Sequence, residues 1–221
     1  MSNAISCRAF LKCAGASALA VGAASLLGGC DFFDKAMGSL IGQVGEASGI
    51  AMAKMGGTDT DWALVAVGAK STWWSRTVTQ GDDKPSYTYL DIVGIGVEVK
   101  NYQNKDITLS AADITDVKVD GHNATVLTNT DVSMKDYKNY GNYVAQSLFK
   151  TGDSKKCPAD KNMNGTAIDG YVFFVLNYAN EEEKLVAQAD WSKVRFTLKL
   201  NNDTKTFEVY KNNGNVTSKV V

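Results

Sequence analysis

The 221-residue sequence predicts an all-β domain, and three observations support this prediction. From Trp62 onward, several segments alternate apolar and polar residues with a period of two, which is typical of half-buried strands. Turns rich in Gly, Asn and Asp separate these segments. The composition, 44% hydrophobic and 21% charged, is ordinary for a globular protein and allows one domain with a sizeable core.

Six segments have the pattern expected of strands, and the third contains a turn signal. Asp120-Gly121 predicts a two-residue hairpin turn, which divides that segment in two and gives about seven strands. In the fifth, Arg195, Thr197 and Lys199 are expected to face outward. The six segments are 62–69, 89–101, 114–127, 171–178, 194–200 and 204–210.

About seven short strands with turns between them favour an antiparallel β-sandwich of the immunoglobulin type for residues 59–221. A small barrel is the structural alternative. Residues 134–150 are expected to contain a short helix, and residues 150–166 are expected to form a long surface loop.

The first 29 residues are predicted to be a signal peptide. Arg8 and Lys12 form a positive region, and residues 14–27 form an apolar stretch too short to span a membrane comfortably. The following letters, "LGGC", resemble the bacterial lipobox, whose cysteine is lipidated before the leader is removed. The resemblance implies that Cys30 is the lipidated first residue of an exported protein anchored to the outer face of the cytoplasmic membrane.

The export route stays open, because "SCRAFLK" (residues 6–12) resembles the twin-arginine motif with Cys7 in place of the first arginine. The general secretory route is the alternative. Residues 30–58 are predicted to form either a Gly-rich flexible tether or an amphipathic helix at the membrane. Glycine is unfavourable in helices, which favours the tether.

The sequence offers little for catalysis, and we predict that the protein is not an enzyme. Once the leader is removed and Cys30 is lipidated, Cys157 has no partner for an intrachain disulfide. His122 is the only histidine, so a hydrolytic triad or a zinc shell is not expected. The net charge of −1 also does not favour a nucleic-acid partner.

No cofactor is expected, although one segment is a candidate calcium site. The stretch "DKNMNG" matches the first half of a calcium-binding loop, with Asp160, Asn162 and Asn164 as the candidate ligands. The twelfth position of such a loop is Tyr171, where a bidentate glutamate is needed. A polar turn without metal is the alternative.

Aromatic side chains are the other candidates for a binding role, because they can stack on sugars, peptides or a protein partner. The adjacent pair Trp73 and Trp74 should point to opposite faces of a strand. The alternative is that most of these rings fill the core. The candidates are Trp73, Trp74, Tyr87, Tyr89, Tyr137, Tyr140 and Tyr143.

The segment "YLDIVGIGVEVKNYQNKDITLSAADI" (residues 89–114) resembles a strand, asparagine turn and strand of bacterial Ig-like lipoproteins of unknown function. These are similar to the mycobacterial immunoprotective extracellular antigen. The resemblance implies an Ig-like fold at the cell envelope and no shared catalytic residues. The predicted function is a membrane-anchored protein-interaction or adhesion module, with an envelope protein or glycan as partner. The alternative is a lipoprotein that binds a small molecule or glycan.

Overall fold

The computed structural model describes residues 49–58, 61–79, 85–135, 141–159 and 166–221. These residues contain eleven strands and only short helices. All strand pairs within the sheets are antiparallel. The all-β prediction is therefore confirmed.

The first six strands are β1 (Ala51–Thr58), β2 (Asp61–Val78), β3 (Tyr87–Asn101), β4 (Ile107–Ser110), β5 (Ile114–Val119) and β6 (His122–Val126). The remaining strands are β7 (Ser154–Cys157), β8 (Thr166–Leu176), β9 (Lys193–Leu200), β10 (Asp203–Asn212) and β11 (Asn215–Val220). The α-helices are α1 (Thr130–Ser133), α2 (Gly141–Val144) and α3 (Glu181–Val186), and Ala111–Asp113 forms a 3-10 helix. None of the helices in the described residues is long and apolar enough to cross a membrane.

Nine strands form one sheet in the order β1-β2-β3-β8-β6-β5-β9-β10-β11, and β4 pairs with β7 separately. The β5–β6 hairpin joins the two halves of the large sheet. The inner faces of the halves share one core, in which the ring of Phe174 lies 5.4 Å from that of Phe196. Phe196 in turn stacks on Phe207 at 5.6 Å. The sheet is thus nearly closed around its apolar side chains.

Ser218 of β11 connects the two edges of this sheet. Its backbone N–H donates to Gly49 O at 2.8 Å. Its hydroxyl donates to Val67 O and accepts from the N–H of Ala51, both at 2.6 Å. Gly68 makes this approach possible, because a Cβ there would lie only 2.6 Å from the hydroxyl oxygen.

The predicted Asp120-Gly121 turn is confirmed, with Val119 opposite His122. Both turn residues have positive φ, 49° and 91°, as a type I′ hairpin turn requires. The pair Asn213-Gly214, with φ of 48° and 82°, makes the same kind of connection between β10 and β11. β11 is not among the strands predicted from the sequence.

Two other sequence predictions need correction. Residues 51–58 are predicted to belong to a tether or an amphipathic helix, but they form β1, because Ala51, Ala53 and Met55 are apolar at alternate positions and are buried against the core. The predicted surface loop 150–166 contains β7, which pairs with β4. The described strands number eleven, compared with the seven expected, and nine of them form one nearly closed sheet. The short helix expected in residues 134–150 is present as α2.

Candidate interaction surfaces

Trp73 and Trp74 lie in β2 and point to opposite faces of the sheet, as predicted from their adjacency. Trp73 is paired with Val93, whose side chain belongs to the main core, and Trp74 is paired with Ile92 on the outer face. Trp73 nevertheless remains 39% exposed. The two rings therefore belong to different surroundings.

Trp74 is part of a small outer core, which we call the Trp74 cluster (Trp74, Tyr143, Tyr171 and Phe173). The ring of Trp74 lies 5.5 Å from Tyr143 and 5.7 Å from Phe173. Tyr171 connects the other two, at 5.8 Å from Tyr143 and 5.7 Å from Phe173. Tyr143 is 38% exposed, whereas Tyr171 and Phe173 are buried. Packing thus accounts for most of this cluster.

Tyr87 and Tyr89 lie near the start of β3, with ring centroids 6.1 Å apart. Tyr89 packs edge-on against Tyr178 at 5.5 Å, and His122 lies 5.1 Å from Tyr178. The Tyr178 hydroxyl donates to Leu90 O at 2.6 Å. Burial, together with the negative charge of nearby carboxylates, raises the pKa of Tyr178 to about 12.

A segment that we call the strap (residues 181–192, including α3) crosses this end of the sheet. Its N-terminal part is held by a hydrogen bond from Tyr87 to Glu181 at 2.6 Å. In its middle part, Gln188 O accepts a hydrogen bond from the N–H of Leu90 at 2.9 Å. At its end, the Ser192 hydroxyl donates to Asp120 at 2.6 Å. The strap is therefore bonded along its length.

Three exposed apolar side chains belong to the strap or are joined to it: Leu185 and Val186 are part of it, and Trp73 is joined to its Asp190 through Lys211. Leu185 and Val186 of the strap are 50% and 83% exposed. The Lys211 ammonium lies 3.2 Å from the centre of the Trp73 ring and 2.6 Å from both carboxylate oxygens of Asp190. The Trp73 ring is consequently exposed in a fixed position. We call these three side chains, Trp73, Leu185 and Val186, the apolar surface.

A cavity of about 220 Å³ lies beneath the strap. Its volume is below the roughly 300 Å³ at which ordinary ligand pockets begin. Several of its polar groups are already bonded within the protein, including Asp120 and Tyr178. Its lining consists of Leu90, Asp120, His122, Leu176, Tyr178, Val186, Ala187, Gln188, Asp190 and Ser192.

The described candidates do not form one continuous aromatic surface. Trp74 and Tyr143 come together in the Trp74 cluster, Tyr87 and Tyr89 lie beside the strap, and Trp73 belongs to the apolar surface. Tyr137 and Tyr140 lie outside the described residues. Leu185 and Val186 are not among the residues predicted from the sequence, because those candidates were all aromatic.

A second surface is a row of charged side chains across the outer face of four strands, and it was not predicted from the sequence. Register places Lys118 of β5 opposite Arg195 of β9, Arg195 opposite Glu208 of β10, and Glu208 opposite Lys219 of β11. We call these four residues the charged row. The sequence predicts that Arg195 faces outward, but it does not indicate that β5 pairs with β9, which brings Lys118 beside it.

Glu208 is the only acidic residue of this row, and three cations surround it. Its carboxylate lies 2.7 Å from Lys193, 3.4 Å from Arg195 and 3.5 Å from Lys219, and it also accepts a hydrogen bond from Tyr210. The bonds from Lys193 and Tyr210 lower the pKa of Glu208 to about 2. The Glu208 side chain is 6% exposed, whereas the three cations are 42–54% exposed.

The remaining candidates for chemistry are placed as follows. Cys157 is buried in β7, and burial raises the pKa of its thiol, which makes it a poor nucleophile. His122 is half-buried at the start of β6, with Nδ1 3.8 Å from Glu183. The described residues contain no group of three His, Cys, Asp or Glu side chains able to hold a metal. Cys30 and the calcium candidates Asp160, Asn162 and Asn164 lie outside the described residues.

No protein-family model matches this chain, and no curated protein or solved structure matches it. The resemblance to bacterial Ig-like lipoproteins therefore stays a prediction.

Proposed function

We propose that this protein is an exported lipoprotein, anchored through lipid on Cys30, whose β-domain is a non-catalytic protein-interaction or adhesion module at the cell envelope. The signal peptide and lipobox support the anchor. The two facing halves of the sheet around one core are compatible with the predicted Ig-like sandwich. The partner is a protein of the same envelope.

The observation that carries this proposal is the apolar surface. Trp73 is an exposed aromatic side chain whose position is set by Lys211 and Asp190, so little side-chain entropy is lost when a partner covers it. Tryptophan is enriched among the residues that dominate binding energy in protein interfaces. Leu185 and Val186 add apolar area on a strap that hydrogen bonds hold in place.

The test is site-specific photo-crosslinking in intact cells. The full chain carries p-benzoylphenylalanine in place of Val186, and the matched control carries it in place of Val132, an apolar residue of α1 that is 61% exposed. We expect one recurrent protein adduct from position 186 and none from position 132. Trp73→Ala should reduce that adduct, and Cys30→Ala should abolish it because the protein leaves the membrane.

Equal labelling from both positions, or an adduct unaffected by Trp73→Ala, would contradict the proposed interface. An unchanged membrane fraction in Cys30→Ala would contradict the anchor independently. The two parts of the proposal can therefore fail separately.

The second candidate function, a ligand-binding lipoprotein, is favoured by the cavity beneath the strap. Its volume of about 220 Å³ is below that of ordinary ligand pockets and limits the ligand to a very small molecule. The test is a metabolite screen by saturation-transfer NMR, with Ala187→Trp as the variant that fills the cavity. A hit supports this function only if the variant loses it.

A further inference from the structure

The outer face of β9, β10 and β11 combines cations with hydroxyl groups. Within these three strands the outward positions have no aliphatic side chain; Val221, which follows β11 and donates its N–H to Thr206 O, is exposed at the edge of the face. They are Lys193, Arg195, Thr197 and Lys199 on β9, Thr204, Thr206, Glu208, Tyr210 and Asn212 on β10, and Asn215, Thr217 and Lys219 on β11. Lys118 of β5 extends this face by one strand.

The charged row runs across the strands. Adjacent strands are about 4.8 Å apart, so the three intervals from Lys118 to Lys219 span about 14 Å. Lys193 lies on the same face of β9, two residues before Arg195 and opposite Tyr210. Together these five charged residues, with Glu208 as the acid, carry four positive charges and one negative charge. Asp116 is exposed where the register of β5 shifts, and it is not paired in the row.

One buried carboxylate shared by three cations leaves an excess of positive charge at the surface. The entire chain has a net charge of −1, so this concentration of cations departs from its average composition. Such a surface attracts anions over a distance of about one Debye length. Glu208 lies between Lys193, Arg195 and Lys219, so it offsets part of their charge.

We infer that the charged row, with Lys193, binds an anionic polysaccharide. A linear polymer with repeated acidic groups can contact Lys118, Arg195 and Lys219 in sequence. The neighbouring hydroxyls of Thr206 and Thr217 can bond sugar hydroxyls. Tyr210, flanked by Lys193 and Lys219 at 5.2 and 5.4 Å from its ring, adds an aromatic side chain to the same face.

The strands of this face present no outward aliphatic side chain and Val221 adds only one at its edge, which argues against insertion into a lipid surface, because insertion requires apolar area. The charged row belongs to strands β5, β9, β10 and β11, whereas the apolar surface belongs to β2 and the strap. This inference therefore does not depend on the proposed protein partner, and the two can be tested separately.

The test measures binding of the full chain to dextran sulfate and to polygalacturonate, with neutral dextran as the uncharged polymer. The key variant is Lys118→Gln combined with Lys219→Gln. The matched control is Lys155→Gln, an exposed strand lysine of β7 outside the row. Lys118→Gln alone serves as a second variant, because Lys118 forms none of the ion pairs found among the described residues.

We expect wild type to bind both anionic polymers and to ignore neutral dextran. The double variant should bind about tenfold more weakly at 50 mM salt, from two exposed ionic contacts. In a plot of the logarithm of affinity against the logarithm of salt concentration, the slope should become less steep by about one for each cation removed. Lys155→Gln should match wild type.

Glu208→Gln provides a change of the opposite sign, because it removes the only negative charge of the row and should tighten binding. Opposite shifts in the two variants cannot both arise from loss of folding. Three outcomes would overturn the inference: no binding by wild type, equal loss in Lys155→Gln, or binding to poly-L-glutamate or phosphatidylglycerol vesicles as tight as to the polysaccharides.

Discussion

Asn101, at the end of β3, is a buried polar residue whose removal should destabilise the fold. Its side chain is fully buried. The two hydrogens of its Nδ2 are shared among the carbonyl oxygens of Lys105, Cys157 and Pro158, which lie 3.0–3.1 Å from the nitrogen, and its Oδ1 accepts from the N–H of Gln103 at 2.9 Å. One amide thus connects the turn after β3 to the end of β7.

The size of the effect of Asn101→Ala follows from which of these groups remain buried. The bonds to Cys157 O and from Gln103 N–H are buried, whereas the other two carbonyls are only partly buried and can regain water. Each buried group left without a partner costs about 1–3 kcal/mol. The two together predict a loss of about 4 kcal/mol in the free energy of unfolding.

Urea unfolding of the full chain at pH 7, followed by tryptophan fluorescence, measures this loss. With an m-value of about 2 kcal/mol/M, the midpoint should fall by about 2 M. Asn104→Ala is the matched control, because Asn104 is exposed in the same turn. An exposed change of this kind should stay within about 0.5 kcal/mol of wild type.

Asn101→Asp tests the same reasoning by a different route. It keeps one acceptor but places a second carboxylate oxygen against three carbonyls, so at pH 7 it should destabilise at least as much as Asn101→Ala. Stability should partly return toward pH 4, as the carboxyl group gains a proton that it can donate. A midpoint shift below about 0.5 M for Asn101→Ala would refute the argument.

Three further predictions follow from buried positions. Gly94→Ala should lower the Tm by about 6 °C, because the added Cβ would lie 2.6 Å from the Phe173 ring and such overpacking costs about 2 kcal/mol; an unchanged Tm would exclude this close contact. The raised pKa of Tyr178, about 12 in the folded state against about 10 unfolded, stabilises the fold below pH 10, and this contribution is lost as pH rises toward 12. The stability advantage of wild type over Tyr178→Phe should thus shrink by about 2 kcal/mol between pH 9 and pH 11.5 in urea unfolding, and a constant difference would contradict it. Cys157 should resist iodoacetamide in the native protein and react in urea, as read by peptide mass spectrometry; rapid native labelling would show that the thiol is accessible.

The fold was predictable where its cause is local. Alternating side chains in residues 194–200 identified β9 and its outward face, because strand periodicity depends only on neighbouring residues. Asp120-Gly121 identified the β5–β6 hairpin, because few residue pairs adopt positive φ at both positions. Asn213-Gly214 is a turn pair of the same kind, so the sequence also contained the local information needed to predict a hairpin between β10 and β11.

Residues 51–58 show where local reasoning failed. Their glycines and the preceding Gly-rich stretch resemble a tether, and a strand at the edge of a sheet has weak signals of its own. The strand forms because β2 pairs with it and because Ser218, 167 residues along the chain from Ala51, bonds to its start. No pattern within eight residues encodes that contact.

The candidate surfaces divide in the same way. The sequence indicated that Trp73 and Trp74 face opposite sides, but not that Lys211 and Asp190 would hold Trp73 exposed. It indicated that Arg195 faces outward, but not that Lys118 and Lys219 would align with it.

By itself, the sequence determined that the domain is built of antiparallel strands and where the β5–β6 hairpin lies. It also predicts a leader and a lipidated anchor at Cys30. The tertiary structure decided that nine strands close almost completely, that the aromatic candidates separate, and that four charged residues from β5, β9, β10 and β11 form a row. The physical reason is the separation along the chain between the residues that determine each feature. Backbone periodicity and turn conformation depend on adjacent residues, whereas strand order and register depend on the packing of one shared core by residues far apart in the chain.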